Sequence, residues 1–127
     1  MTEGTKTHYE VIVVGAGVAG IYQIKRLADL GIDALVLEAA PDLAGTWYWN
    51  RYPGARFDSE SYTYGYSFSR ELLDEWHWKE RFSSQPENLR YLNYVADKSG
   101  RRKYMRFNCK VGQASFDETK DLWRLKL

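Results

Sequence analysis

Two short apolar runs flank a stretch of helical periodicity near the start of the chain. The run "YEVIVV", residues 9–14, is rich in β-branched residues and ends at a glycine, which predicts a buried parallel strand. From Val18 the spacing becomes helical, and Gly31 is placed to end that helix. Its apolar face carries Ile21, Ile24, Leu27 and Ala28. The run "ALVLE", residues 34–38, predicts a second buried strand, so the first part of the chain reads as a right-handed βαβ unit.

The pattern after the second strand is less regular. Residues 39–69 form a long aromatic connection, residues 70–82 are compatible with a helix, and Tyr62, Tyr64 and Tyr66 share one face of an alternating stretch, which predicts core positions. Ser84, followed by a proline and a glutamate, predicts the start of a further helix that ends near Gly100. The apolar stripe of this helix comprises Leu89, Leu92, Val95 and Ala96.

The last part of the chain predicts β structure. Residues 104–111 alternate, and residues 116–127 read as a turn followed by a strand with Trp123, Leu125 and Leu127 on one face. The expected fold is therefore α/β, with a parallel sheet and a β-hairpin. Because the strand pattern runs to the last residue and the sheet has few central strands, we expect residues 1–127 to be one incomplete domain of a longer protein.

Composition narrows the classes of partner. The chain has 18 basic and 17 acidic side chains, and this balance argues against nucleic acid or a membrane surface as a partner. The short basic run 101–103 is expected to be a solvated loop. No apolar run approaches the roughly 20 residues of a membrane span, and the polar N-terminus has no secretion signal.

The cysteine and the two histidines do not form a recognisable disulfide or metal-binding pattern. Cys109 is the single cysteine, so no intrachain disulfide can form, which fits a reducing cytoplasmic setting and a small core residue. His8 and His77 have no metal-ligand pattern around them and are expected at the surface. We therefore predict no metal site.

A glycine-rich hexapeptide joins the first strand to the helix. "GAGVAG", residues 15–20, matches G-x-G-x-x-G between a strand and a helix, the context in which this pattern indicates a dinucleotide-binding, Rossmann-like unit. Gly15 permits the tight turn, and Gly17 lets the backbone approach a pyrophosphate. Gly20, beside Ala19, lets the helix pack close to the strand. The helix N-terminus then offers N–H groups and positive dipole to the phosphates.

An acidic residue ends the second strand at the position that suits a ribose. Glu38 follows Gly20 by 18 residues, where a carboxylate can accept hydrogen bonds from the ribose hydroxyls of an adenosine. The same charge would repel a 2′-phosphate, so the site should prefer FAD or NAD to NADP. These features alone leave open which of the two is bound.

Aromatic residues are concentrated in one region. Twelve of the 20 lie between Trp47 and Phe82, and Trp and Tyr can stack on a flat heterocycle as well as fill a core. For Trp47 and Trp49 the residues alone leave both interpretations open. The rigid turn 52–54 would project Arg56 and Asp58 in a defined direction.

The glycine turn, Glu38 and "AGTWYWNRYPGARFDSES" together resemble the N-terminal FAD-binding segment of Baeyer–Villiger monooxygenases, in the branch that acts on phenylacetone, steroids and cyclic ketones. The resemblance runs from Tyr9 to Lys98 and more loosely to Leu127. It implies FAD and NADPH as cofactors, and a small ketone and O₂ as substrates. It also implies insertion of oxygen next to the ketone carbonyl to give an ester or lactone.

The resemblance also implies roles for individual residues. Gly15, Gly17, Ala19, Gly20 and Glu38 would bind the adenosine-diphosphate half of FAD, and Thr46, Trp47, Tyr48 and Trp49 would line the flavin. Arg56 and Asp58 would lie near the nicotinamide cofactor, with Asp58 orienting a catalytic arginine. Tyr64, and Val111 through its backbone, would make further FAD contacts.

The sequence departs from the family pattern in two places. Ala44 stands where a first glycine is usual, a change expected to shift the loop backbone, and residues 99–105 differ from the segment expected there. The NADPH domain, its His/Trp signature and the active-site arginine are expected outside residues 1–127. The alternatives are a piece of an N- or S-oxygenating flavin enzyme and a non-catalytic dinucleotide-binding module. We expect the 127-residue chain alone to be inactive.

Overall fold

The computed structural model describes residues 5–127. The elements in chain order are β1 (Val11–Val14), α1 (Val18–Asp29), β2 (Ala34–Leu37), α2 (Thr46–Trp49), α3 (Ser61–Tyr64), α4 (Arg70–Glu75), α5 (Gln85–Lys98), a 3₁₀ turn (Arg102–Tyr104), β3 (Met105–Arg106), β4 (Gln113–Asp117) and β5 (Leu122–Lys126).

A parallel sheet in the order β1-β2-β3 forms the centre of the fold. Val11 pairs with Ala34 and Val14 with Leu37, while Val36 of β2 pairs with Met105 of β3. All four residues of β2 are buried, which explains why its sequence is continuously apolar rather than alternating. The predicted βαβ unit and the α/β class are confirmed. The prediction that the first strand is buried is wrong: within residues 5–127 β1 lies at the edge of the sheet, its first three residues are half-buried, and Val14 is 63% exposed.

Helices α1 and α5 contribute the largest share of the core besides the sheet. Ile21 and Ile24 of α1 are almost fully buried, as are Leu92 and Val95 of α5. Helix α5 begins after Ser84 with proline in its first turn, and Gly100 follows it at a φ of +67°. Both ends therefore lie where the proline and glycine signals predict them.

Strands β4 and β5 form a separate antiparallel hairpin, as predicted. Asp117 pairs with Leu122 next to the turn, and Gln113 pairs with Lys126 at the open end. The rings of Phe116 and Trp123 pack 5.4 Å apart on an exposed face of the hairpin.

The alternating interpretation of Tyr62, Tyr64 and Tyr66 is wrong. Residues 61–64 form a short helix, and the Ser61 hydroxyl at its start donates to the backbone carbonyls of residues 80 and 81. A helix turns successive side chains by about 100°, not 180°, so Tyr62 points away from the core and is 73% exposed. Tyr64 and Tyr66 do pack against the core.

The predicted strand over residues 104–111 shrinks to two residues. Asn108 takes a left-handed φ of +55°, which ends extended pairing with β2. The following backbone instead closes over the sheet edge, because Asn108 N–H donates to the Ala40 carbonyl at 3.0 Å and Cys109 N–H to the Glu38 carbonyl at 2.9 Å. Cys109 is a half-buried free thiol outside the core cluster, so the prediction that it is a core residue is wrong.

The predicted helix over residues 70–82 ends early, at Glu75. Trp76 leaves the helix with φ −92° and ψ 120°. This break turns the indoles of Trp76 and Trp78 toward Tyr91 on α5, with ring centroids 5.2 and 4.7 Å away. Aromatic packing thus overrides a weak helical pattern.

The prediction that the basic run is a solvated loop is wrong for its two arginines. Arg102 bridges Asp42 at 2.8 Å and Asp97 at 2.7 Å, and Arg101 bridges Asp29 at 2.8 Å. Both arginines are partly buried, so this segment ties α1 and α5 to the loop after β2.

The remaining predictions concern membrane spans, metal sites and the two histidines. Within residues 5–127 the helices are all too short or too polar to cross a bilayer, and no cluster of three metal-binding side chains is present. His8 and His77 are both exposed, as predicted.

Candidate functional site

The turn between β1 and α1 has the geometry that its glycines predict. Gly15 has a φ of +100°, and a Cβ on Gly20 would lie 1.9 Å from the Gly15 carbonyl oxygen. Helix α1 begins after Gly17 with no side-chain cap and no acidic residue in its first turn. Its first N–H groups are therefore open to an anionic group.

The Glu38 carboxylate holds this turn against the end of β2. One oxygen accepts a hydrogen bond from the Ala16 N–H at 2.6 Å and the other from the Ala40 N–H at 2.9 Å. Glu38 is 6% exposed. An ionised carboxylate has about four acceptor positions, so capacity remains for ligand hydroxyls.

The segment that leads into α2 lies directly on the glycine turn. Ala44 N–H donates to the Ala16 carbonyl at 2.9 Å, and a Cβ on Gly45 would come within 3.1 Å of the Gly17 Cα. Three pieces distant in sequence, the glycine turn, the end of β2 and the start of α2, therefore meet at one place.

Ala44 keeps a conformation that favours glycine. Its φ is +100°, and its side chain is 1% exposed. The departure at this position therefore leaves a strained backbone rather than a relaxed one.

We expect Ala44→Gly to stabilise the protein by about 0.5–1 kcal/mol, because relief of the strained φ exceeds the loss of one buried methyl group. The free energy of unfolding from urea titration measures this change. Ala39→Gly is the matched control: Ala39 is exposed and has no positive φ, so the same substitution should cost about 0.4–1 kcal/mol. Destabilisation by both substitutions would contradict the assignment of strain.

The four residues of α2 that are predicted to line the flavin differ in their exposure. Trp47 is buried, and its rings pack against Phe57 and Tyr64 at 5.8 and 6.3 Å. Thr46 and Trp49 are exposed and Tyr48 is half-buried. Trp47 thus packs in the core and Trp49 is exposed, and contact of these four residues with a flavin remains a prediction.

The two remaining predicted contacts, Tyr64 and Val111, are next to different parts of the site: Tyr64 lies beside α2, and Val111 lies close to the end of β2. Tyr64 is half-buried, accepts a hydrogen bond from the Trp47 indole N–H at 2.9 Å and stacks on Phe57 at 4.3 Å. Val111 is half-buried and follows Cys109, whose N–H bonds to Glu38. Their contacts with FAD remain predictions.

Arg56 and Asp58 project from one short extended segment. The backbone around Arg56 pairs with that around Ser84, so Ala55 and Phe57 point inward while Arg56 and Asp58 point outward. Both line an open groove of about 530 Å³. They do not pair with each other: Arg56 Nη1 contacts Glu80 at 3.0 Å and the Phe82 carbonyl at 2.9 Å.

Three residues of the site were missed from sequence. Gly45 approaches the glycine turn, Ala40 donates to Glu38, and the buried Gln85 donates to the Trp47 carbonyl at 2.5 Å. The glycine directly before an aromatic run was a signal for Gly45. Nothing in the local sequence marks Ala40 or Gln85, because their roles depend on chain segments brought together by folding.

The sequence profile described as "NAD(P)-binding Rossmann-like domain" matches residues 13–76, which contain the end of β1, all of α1 and β2, and the convergent segments above. The chain belongs to this family. The predicted Rossmann-like fold is therefore confirmed both by the profile and by the parallel sheet.

Curated relatives of this Rossmann-like chain are oxygenases. It is 49% identical over 118 residues to 2-oxo-Delta(3)-4,5,5-trimethylcyclopentenylacetyl-CoA monooxygenase of Pseudomonas putida, covering 93% of the chain and 22% of the relative. It is 44% identical over 128 residues to a Baeyer-Villiger monooxygenase of Pseudooceanicola batsensis, covering 98% and 24%. It is 43% identical over 126 residues to phenazine N-monooxygenase PhzNO1 of Lysobacter antibioticus, covering 98% and 23%. The chain thus spans about a quarter or less of these relatives' length.

The solved structures that this chain resembles are monooxygenases as well. Oxidized steroid monooxygenase bound to NADP superposes with a TM-score of 0.92 at 49% identity, over 94% of this chain and 23% of that one. OTEMO in complex with FAD and NADP superposes with a TM-score of 0.89 at 47% identity, over 95% and 23%. The predicted resemblance to Baeyer–Villiger monooxygenases is confirmed for the part of those proteins that the chain covers.

Proposed function

We propose that this chain is the N-terminal part of an FAD-binding domain, within an NADPH-using monooxygenase that inserts oxygen next to a ketone carbonyl to give an ester or lactone. One observation carries the proposal: the Glu38 carboxylate and the Ala44–Ala16 hydrogen bond bring the glycine turn and α2 together around the uncapped N-terminus of α1. The relatives' names and the ligands of the solved neighbours support it.

The residues at this place fit the adenosine-diphosphate half of FAD. The backbone at Gly15, Gly17, Ala19 and Gly20 binds the pyrophosphate, because the uncapped helix N-terminus supplies donors and positive dipole. The remaining acceptor positions of Glu38 bind the ribose hydroxyls. The negative charge of Glu38 disfavours a 2′-phosphate, so NADPH binds elsewhere, in a domain outside these residues.

The residues around α2 and the groove lie at the flavin end of FAD, where the reaction takes place. Thr46, Tyr48 and Trp49 border the flavin, while Trp47 supports them from the core. When bound, FAD supplies electron transfer from NADPH and the activation of O₂. Asp58 presents an exposed carboxylate that orients a cationic side chain from the rest of the enzyme, and Arg56 lies beside it near the nicotinamide.

A second function has one observation in its favour. A phenazine N-monooxygenase is 43% identical over 98% of the chain, so the same nucleotide-binding unit serves nitrogen oxygenation in a relative. A third candidate is a non-catalytic dinucleotide-binding module, which needs only the glycine turn and Glu38. The cytoplasm is the proposed location, with no nucleic acid or membrane as partner.

Titration of the 127-residue chain with FAD, followed by quenching of flavin fluorescence, tests the binding proposal. Because the contacts are to the adenosine-diphosphate half, ADP should compete with FAD, and FMN, which lacks adenosine, should bind at least about tenfold more weakly. Equal binding of FMN and FAD would refute the assignment of Glu38 and the glycine turn.

Products distinguish the enzymatic candidates. The protein from the full reading frame that contains this sequence should convert a cyclic ketone to a lactone with NADPH and O₂. An N-oxide from an aromatic amine with no lactone would favour the second function. FAD binding with neither product would favour the module.

A further inference from the structure

Six aromatic rings form a continuous path through the protein, which we call the aromatic path: Trp47, Tyr64, Phe57, Trp78, Trp76 and Tyr94. From Trp47 to Phe57 and from Phe57 to Trp78 the ring centroids are 5.8 Å apart, and Tyr64 stacks on Phe57 at 4.3 Å. The remaining steps are 5.9 Å from Trp78 to Trp76 and 5.3 Å from Trp76 to Tyr94.

The path joins the candidate site to the surface. Trp47 belongs to α2, next to Thr46 and Tyr48, and is buried. Tyr94 lies on the partly exposed side of α5, and its hydroxyl donates to the carboxylate of Glu75. Among the aromatic contacts of the described residues, Tyr94 contacts only Trp76.

Among the described residues, a carboxylate is placed to accept a proton from the path at one end only. The Trp47 indole N–H donates to a hydroxyl, which is not a base, and the buried Trp76 N–H has no hydrogen-bond partner within residues 5–127. A radical cation of Trp47 or Trp76 would have no base beside its N–H, so it would keep its proton and remain a strong oxidant. Tyr94 alone on the path can pass its proton to a carboxylate, and loss of that proton makes a phenol easier to oxidise than an indole.

We propose that the aromatic path conducts an oxidising equivalent from the α2 region to Tyr94 at the surface, where Glu75 accepts the phenolic proton. A protective role, in which the path removes oxidising equivalents produced by unproductive reactions with O₂, rests on the proposed function. The transfer itself depends only on side chains within residues 5–127.

The steps balance as follows. A partly reduced oxygen species takes one electron from Trp47. Trp47 recovers it from Trp78 across Phe57, Trp78 from Trp76, and Trp76 from Tyr94, whose proton moves to Glu75. A soluble thiol then gives a hydrogen atom to the tyrosyl radical and becomes a thiyl radical, and Glu75 releases its proton to water.

Pulse radiolysis with the azide radical tests the transfer without any flavin. Trp49 and Trp123 are exposed and lie off the path, so both are replaced by phenylalanine. The chain has five tryptophans, and the three that remain all belong to the path. We expect the tryptophan-radical band to decay as the tyrosyl band grows, at a rate independent of protein concentration.

The chain offers a matched control for the end point. Tyr62 also has a glutamate partner, because a hydrogen bond with Glu60 raises the pKa of Tyr62, but it makes no aromatic contact within residues 5–127 and is exposed. Tyr94→Phe should remove most of the tyrosyl signal, whereas Tyr62→Phe should leave it unchanged. Equal effects of the two substitutions, or a radical that stays on tryptophan in the parent, would overturn the proposal.

Two further variants test the mechanism. Glu75→Gln should slow growth of the tyrosyl band about tenfold or more, because it removes the proton acceptor and leaves the ring contacts. Trp76→Leu removes the aromatic ring that joins Trp78 to Tyr94, and should remove most of the tyrosyl signal at Tyr94. Unchanged rates in both variants would refute the path. Failure of FAD to bind would affect only the protective role, so the two proposals fail separately.

Discussion

Gly20→Ala should be among the most damaging single substitutions in this chain, with a loss of about 3–5 kcal/mol in the free energy of unfolding. Alanine within a helix normally stabilises by about 1 kcal/mol relative to glycine. Here the new Cβ would lie 1.9 Å from the Gly15 carbonyl oxygen, which is backbone and cannot move without opening the glycine turn. Urea titration measures the loss, and FAD affinity should fall with it.

Gly112→Ala is the matched control. A Cβ there would lie 3.7 Å from the Lys126 carbonyl oxygen, an ordinary contact, so the change should stay within about 0.5 kcal/mol of zero. A Gly20→Ala protein as stable as the parent would contradict the close approach of α1 to β1.

Glu38→Gln should cost about 2–4 kcal/mol, although it changes only one atom and no volume. Both carboxylate oxygens accept backbone N–H groups, from Ala16 and Ala40, in a site with 6% exposure. An amide offers one oxygen and turns its NH₂ toward the other N–H, which leaves two buried donors facing each other. Thermal unfolding and FAD titration should both register the change.

Glu118→Gln makes the same change at an exposed position in the β4–β5 turn and should have little effect on either measurement. Wild-type stability in Glu38→Gln would mean that the carboxylate does not tie the glycine turn to the end of β2. Normal stability with weakened FAD binding would instead restrict Glu38 to a ligand contact.

The βαβ unit was predictable because its signals are local. The apolar run of β2 reflects burial on both faces, and Gly15 and Gly20 are required by a turn that spans only six residues. Helix α5 was predictable for the same reason, since its start and stop signals are adjacent to it in sequence.

The aromatic region was not predictable at the level of elements. Tyr62 and Tyr64 alternate in sequence, yet α3 is a helix, and the helical pattern after Arg70 breaks at Trp76. In both cases packing of aromatic rings from distant segments decides the backbone, and this packing energy exceeds weak local propensities.

In the candidate site, too, some features follow from the local sequence and others only from tertiary contacts. The sequence by itself determined the fold class, the family resemblance, the glycine turn and Glu38 as a candidate ligand, because each depends on residues close together along the chain. Only the tertiary structure decided that Glu38 and Ala44 both form hydrogen bonds with Ala16 in the glycine turn. It also decided that Trp47 is in the core while Trp49 is exposed, and that Arg56 pairs with Glu80. These are contacts between distant segments, whose geometry exists only once the βαβ unit, α2 and α5 have packed together.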